Sequence, residues 1–358
     1  MSHILRALAA ASSCALATTA FAHHPGGPGN SGGTGPINTI SASTIPAGIS
    51  VASIVYDRIA LDPLSDATLA HAAEHAHEAG GHAHVHSLKS IASPSLNYAY
   101  GITSELMIAV RLPYVTRSDI REGHFHEDDG EAEIHRAGDA DGIGDASALL
   151  QWRFLNNQAS GFEAAVLLGA KVPTGSTSET DSAGDRFAAE FQPGSGSWDG
   201  LFGIALTQRV GQWSFDASVL YTAVRTGTQD TNLGDRMHYS AAVSYRVSGM
   251  SAGNGAMFHG AKPHAHGADA HGNAQTESGG PALDLILELN GEWHDKQEEG
   301  GEADGNSGGN TLYLAPGLRL SQDKWSAFAS IGLPIVDDLN GTQAEPDWRL
   351  VTGMSLAF

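Results

Sequence analysis

Cysteine is almost missing: the chain of 358 residues has one, Cys14, close to its start. Neither a disulfide framework nor a cysteine metal site can hold such a chain, so packing and hydrogen bonds must stabilise it. Basic residues are also scarce, 19 Lys and Arg against 40 Asp and Glu, for a formal net charge of −21. That excess repels polyanions and excludes a general nucleic-acid binder. Charged residues make up only 16% of the chain, below the roughly 25% of soluble domains. Beyond the N-terminus no apolar run approaches the ~18 residues of a membrane-spanning helix. No nucleophile elbow, phosphate loop or dinucleotide fingerprint occurs, and the expectation is a protein that is not an enzyme.

Glycine, in contrast, is plentiful, with 44 residues, and points to many turns. Met1 to Ala22 reads as an export signal: Arg6, then an Ala/Leu-rich stretch, then the small-x-small end Ala20-Phe21-Ala22. Cleavage near Ala22 would remove Cys14 as well. Residues 23–48 form a Gly/Pro-rich segment whose position and composition suit a partial plug of a barrel lumen. The remainder, 49–358, is expected to be one barrel, with a His-rich loop at 61–89 and a His-rich insertion at 249–281.

From about Ile49 onward, runs of about ten residues place apolar side chains at every second position, and period two means strands. Leu106, Ile108, Val110, Leu112 and Tyr114 share one face, opposite Glu105, Ala109 and Arg111. Trp213, Phe215, Ala217, Val219 and Tyr221 do the same against Ser214, Asp216, Ser218 and Thr222. Twelve such runs are expected, near 49–60, 90–100, 103–114, 145–155, 160–173, 197–210, 213–225, 237–248, 282–294, 311–321, 324–335 and 347–358. Connections alternate between tight turns and long polar loops at 61–89, 115–144, 174–196, 226–236 and 295–310. The fold class is therefore all-β: a transmembrane antiparallel β-barrel of about 12 strands, with short periplasmic turns and long extracellular loops, in the bacterial outer membrane.

Three features favour this barrel over a soluble sandwich. Aromatic residues such as Trp213, Tyr221, Trp293 and Trp348 fall near strand ends, at the level of a membrane interface. The opposite faces carry isolated charges expected to line the lumen: Glu105, Arg111, Arg153, Glu163, Lys171, Arg209, Asp216, Arg246, Asp284, Glu288, Arg319 and Arg349. The chain closes on Phe358 with apolar residues two, four and eight positions earlier, the form of terminal strand that outer-membrane assembly machinery recognises.

One ordered set of motifs runs through the body. It comprises Gly142-Ile143-Gly144-Asp145 opening a strand that ends Gln151-Trp152-Arg153-Phe154, and Gly169-Ala170-Lys171-Val172-Pro173-Thr174-Gly175 closing the next. Gln192-Pro193-Gly194-Ser195-Gly196-Ser197-Trp198-Asp199, Gly234-Asp235-Arg236 and Glu288-Leu289-Asn290-Gly291-Glu292 follow. Over about 48–358 the chain resembles the outer-membrane barrel family named for the MetA pathway of phenol degradation. The resemblance implies a twelve-stranded barrel and passage of small molecules.

The chain departs from that pattern in its histidines. His71, His75, His77, His82, His84 and His86 fall within one short stretch, and His264, His266 and His271 form a second group with His259. His-x-His spacing brings imidazoles close enough to share Zn, Cu or Ni, so these residues are the candidate metal ligands, although no cofactor is required. His124, His126 and His135 lie beside an acidic run that would concentrate cations at the pore mouth. His71-Ala72-Ala73-Glu74-His75 matches a zinc-peptidase pattern in letters, but is expected to sit in a loop without a core. Two functions are carried forward: a channel or passive transporter for a small-molecule or ion solute, or a metal-binding surface protein that the barrel anchors in outer-membrane lipid.

Overall fold

The computed structural model describes residues 34–78, 85–126, 131–248 and 281–358. Twelve strands run up and down: β1 (Ser50–Asp62), β2 (Ser95–Gly101), β3 (Leu106–His126), β4 (Ala146–Asn157), β5 (Phe162–Val172) and β6 (Asp199–Val210). They continue as β7 (Trp213–Ala223), β8 (Arg236–Ser248), β9 (Ala282–His294), β10 (Gly309–Gln322), β11 (Trp325–Leu339) and β12 (Glu345–Ala357). Each pairs antiparallel with the next, and β12 returns to β1 with Val51 opposite Ala357 and Asp62 opposite Glu345. The seam is tight: Ser50 N–H donates to Phe358 O and Phe358 N–H to Ser50 O, both at 2.9 Å. Closure leaves no barrel strand with an open edge in lipid, where an unpaired amide has no water to bond.

The alternation sorts the two faces. Phe202, Ile204 and Leu206 on β6 and Leu285, Leu287 and Leu289 on β9 remain between 38% and 51% exposed, while Thr207, Asp284 and Glu288 are buried. Large apolar groups outside and carboxylates inside invert a soluble protein and fit a wall bathed in hydrocarbon. On the outer face the Tyr239 ring covers Gly291, its cross-strand partner, so closely that a Cβ there would lie 2.1 Å from the ring. At one rim the described connections are tight turns, as at Gly211 with φ +59°, while β8 and β9 are joined there by the long segment 249–281.

The other rim departs from the expected polar loops. Within 61–89 lies a helix, α1 (Asp66–Glu78), whose Leu69 and Ala73 are fully buried. Ser65 Oγ accepts from Thr68 N–H at its start, as a capping serine does. Asp66 accepts from Arg121 at 2.6 Å and from Arg136 at 2.5 Å, clamping α1 to the sheet. The acidic stretch 115–144 is likewise a long hairpin, the outer half of β3 paired with Glu131–Ile143. In these loops tertiary contacts supply the order that local periodicity does not encode. His71 to His75 thus lies on a helix rather than in a loop, and His71 and His75 are exposed.

Arg246 on β8 stands opposite Asp284 on β9 and binds it through both nitrogens, Nε to Oδ1 at 2.5 Å and Nη2 to Oδ2 at 2.8 Å. Both side chains are out of contact with solvent. Removing one partner strands a buried charge, whereas an apolar pair of similar volume costs far less. Asp284→Ala is therefore expected to lower barrel stability by about 3–5 kcal/mol, and Arg246→Met with Asp284→Leu to recover most of the loss. Urea unfolding of the detergent-folded barrel, followed by tryptophan fluorescence, reads both.

Candidate functional site

The barrel interior is the candidate site, and it is occupied by the protein's own chain. Residues 35–44 cross it on hydrogen bonds to side chains of successive strands. Arg319 on β10 donates to Gly35 O and Pro36 O. Glu288 on β9 accepts the N–H groups of Ile37, Asn38 and Thr39 at 2.9–3.1 Å, and Asn38 Nδ2 at 2.7 Å. Ser218 on β7 accepts Ile40 N–H, and Thr207 on β6 accepts Ala42 N–H. Gln151 on β4 donates to Ser41 O and Ser43 O, while Ser43 Oγ donates to Glu163 on β5. A stretch without regular secondary structure can be buried only because lumen side chains satisfy its backbone.

Apolar anchors alternate with these bonds. Ile37 packs with Val55, Ile286, Phe328 and Val351; Ile40 and Ala42 with Leu149, Leu167, Leu201 and Leu220; Ile45 with Val51, Met107 and Ala357. Where the segment leaves the interior it presses on Gly101, whose absent Cβ would otherwise lie 2.1 Å from Pro46 O.

Eleven of the twelve charged residues named from the sequence take inward positions. Glu163 is shared by Arg153 at 3.0 Å and Arg209 at 3.1 Å. Asp216 accepts from Thr207 and Ser214. Arg349 holds Asp57 through two bonds of 3.0 Å. Lys171 contacts Asp199 at 2.6 Å and Asp145 at 3.2 Å. Arg111 donates to Ser93 Oγ. The exception is Glu105, exposed in the turn between β2 and β3 and hydrogen-bonded to Ser104, because the strand begins one residue after it. Sequence reading missed Asp57, Gln151 and Thr207, although their alternation on β1, β4 and β6 carries the same signal, and it placed Ser218 on the inward face of β7.

The outer mouth is covered from within. In the loop after β5, Phe187 and Phe191 pack with Ile59, Leu61, Leu88, Ile91 and Ile120. Arg117 donates to the carbonyls of Phe191 and Gln192, fixing that loop to β3.

Of the candidate metal ligands, His71 and His75 meet one turn apart on α1, Nε2 to Nε2 at 3.1 Å. His77 lies on the same helix. His82, His84, His264, His266 and His271 lie outside the described residues, as do Met1 to Gly33. His86 stands apart from the α1 pair: it is buried, its Nδ1 3.4 Å from Glu190 and its Nε2 3.8 Å from Glu122, with its ring edge-on to Phe191. Among the described residues no three His, Cys, Asp or Glu side chains converge as a preformed metal centre.

A closed barrel with an apolar belt, an ionised interior and short turns on one rim is a transmembrane β-barrel. Residues 106–287 match the family described as the MetA-pathway of phenol degradation, and the chain belongs to that family. Among solved structures, an outer membrane channel from Pseudomonas putida F1 superposes with a TM-score of 0.53 at 14% identity, covering 90% of this chain and 100% of that one. The beta domain of the Bordetella autotransporter BrkA gives 0.41 at 9% identity, over 87% and 100% of the two chains. A Pseudomonas aeruginosa FadL homologue gives 0.37 at 7% identity, over 96% and 95%. At such identity the first of these establishes likeness of fold. No curated protein sequence matches the chain.

His86 gives the outer rim a pH dependence. Burial disfavours its charged form, but the close contact with Glu190 and the charges of Glu190, Glu122 and Asp304 outweigh burial and raise its pKa above the ordinary 6.5. A raised folded-state pKa contributes stability that is full below the unfolded value and is lost as pH rises through the folded one. Protease resistance of the outer loops is expected to fall between pH of about 5.5 and about 8.5, and His86→Ala to flatten that difference.

Proposed function

We propose that the protein is an outer-membrane channel for a small solute, closed at rest by its own chain. The observation that carries this reading is the occupant of the barrel. The N-terminal segment is held by hydrogen bonds and small apolar contacts, so a change in those contacts can vacate the path. The ionised wall beneath it, with Glu163, Arg209, Glu288 and Arg319, then sets which solute passes, as lumen side chains do in pores. Family membership and the likeness to an outer membrane channel support the same reading.

A second reading is favoured by the His71 and His75 contact on α1, two imidazoles one helical turn apart on an exposed face. In it the His-rich segments capture Zn, Cu or Ni at the outer surface, and the barrel serves chiefly as their anchor.

Conductance in planar bilayers separates the two. Small or rare steps are expected from the full chain, and several-fold larger ones after deletion of residues 34–44 or in Glu288→Ala combined with Arg319→Ala. Silence in every form, with Zn²⁺ binding retained, would overturn the channel and leave the anchor. Zn²⁺ added on the loop side is expected to alter the steps only while His71, His75 and His77 are present.

A further inference from the structure

Beyond the membrane, the hairpin of β3 and Glu131–Ile143 carries four chemically matched residues in one block. Glu122 stands directly opposite His135, and His124 directly opposite Glu133. Two imidazoles and two carboxylates therefore occupy adjacent positions on one face, like residues on the diagonals, with cross-strand Cβ atoms about 4.5–5.5 Å apart. The block lines a cavity of about 440 Å³ whose far wall is the loop after β5, with Asp181 and Phe187.

The two imidazoles are already oriented by carboxylates. His124 Nε2 is 3.1 Å from Glu122 Oε2, and His135 Nε2 is 2.7 Å from Asp181 Oδ2. Such pairing fixes the tautomer and leaves Nδ1 as the electron-pair donor, the outer-shell arrangement of histidines that bind metals. The two rings meet edge to face, with centroids 6.2 Å apart and planes at 66°. With metal–nitrogen bonds of about 2.0–2.1 Å, one ion shared by two imidazoles places their centroids roughly 5–6.5 Å apart. The pairing register of the hairpin thus places both rings at a spacing compatible with one shared ion.

The geometry points to a divalent transition-metal site here, with His124 and His135 as imidazole ligands, Glu133 as carboxylate ligand, and Glu122 and Asp181 orienting the rings. Mixed imidazole and carboxylate donors suit Zn²⁺, Co²⁺, Ni²⁺ or Cu²⁺ rather than Ca²⁺ or Mg²⁺, which take oxygen ligands. The site is distinct from the histidines of α1 and of 259–271, and it does not depend on whether the barrel conducts.

The test uses the full-length folded barrel with Co²⁺ as the probe, in a background where the histidines at 71–84 and 259–271 are changed to Ala. One equivalent of Co²⁺ is expected to bind with visible d–d absorption. His124→Ala or His135→Ala should weaken it by at least about tenfold, and Asp181→Asn by about tenfold through loss of ring orientation. His135→Gln guards against local collapse, and heat-dependent gel mobility reports that each barrel has folded. A background protein that binds no Co²⁺ would overturn the site. So would folded His124→Ala and His135→Gln variants that bind Co²⁺ as the background does.

Discussion

The condition on which the rest of this structure depends is the unbroken ring of backbone hydrogen bonds. Hydrocarbon offers an amide no partner, so twelve strands must pair all the way round, and the exchange between Ser50 and Phe358 is where the ring is completed. Once it closes, alternation does the sorting. Most large apolar side chains, such as Ile204, Leu287 and Trp213, face lipid, and most charged residues of the strands turn inward. Inside a narrow barrel those charges must find partners among themselves or in the chain that enters with them. Arg246 with Asp284 and Arg349 with Asp57 are the first solution; Glu288 and Arg319, gripping backbone groups of the N-terminal segment, are the second.

The barrel was legible in the sequence because period two is local. Each residue of β7 or β9 declares its face by its neighbours, and the observed spans of those strands lie within two residues of the expected ones. The lumen charges followed from the same rule, with Glu105 misplaced only because a strand start cannot be read to the residue. What could not be read is order made by contacts distant in sequence. Nothing local marks 115–144 as a hairpin: its support comes from Asp66, some fifty residues earlier, bound to Arg121. The path of residues 35–44 is less legible still, since its bonds use main-chain N–H and C=O groups that every sequence possesses.

The outer rim and the interior are therefore built on different principles. The interior matches charged strand residues to an inserted, uncharged stretch of Gly, Pro, Ser, Thr and Ile. The rim sets histidine beside carboxylate repeatedly: His86 with Glu190 and Glu122, His124 with Glu122, His135 with Asp181. One such pair also lies within the wall, His238 with Glu292 at 3.4 Å.

The inserted segment also has a mechanical consequence. It is bonded in turn to β10, β9, β7, β6, β5 and β4, and leaves against the last residue of β2, so it spans the cross-section as a brace. A hollow barrel of twelve strands can flatten into an ellipse at little energetic cost. This one cannot do so without loosening the brace, which couples the shape of the wall to the seating of what fills it.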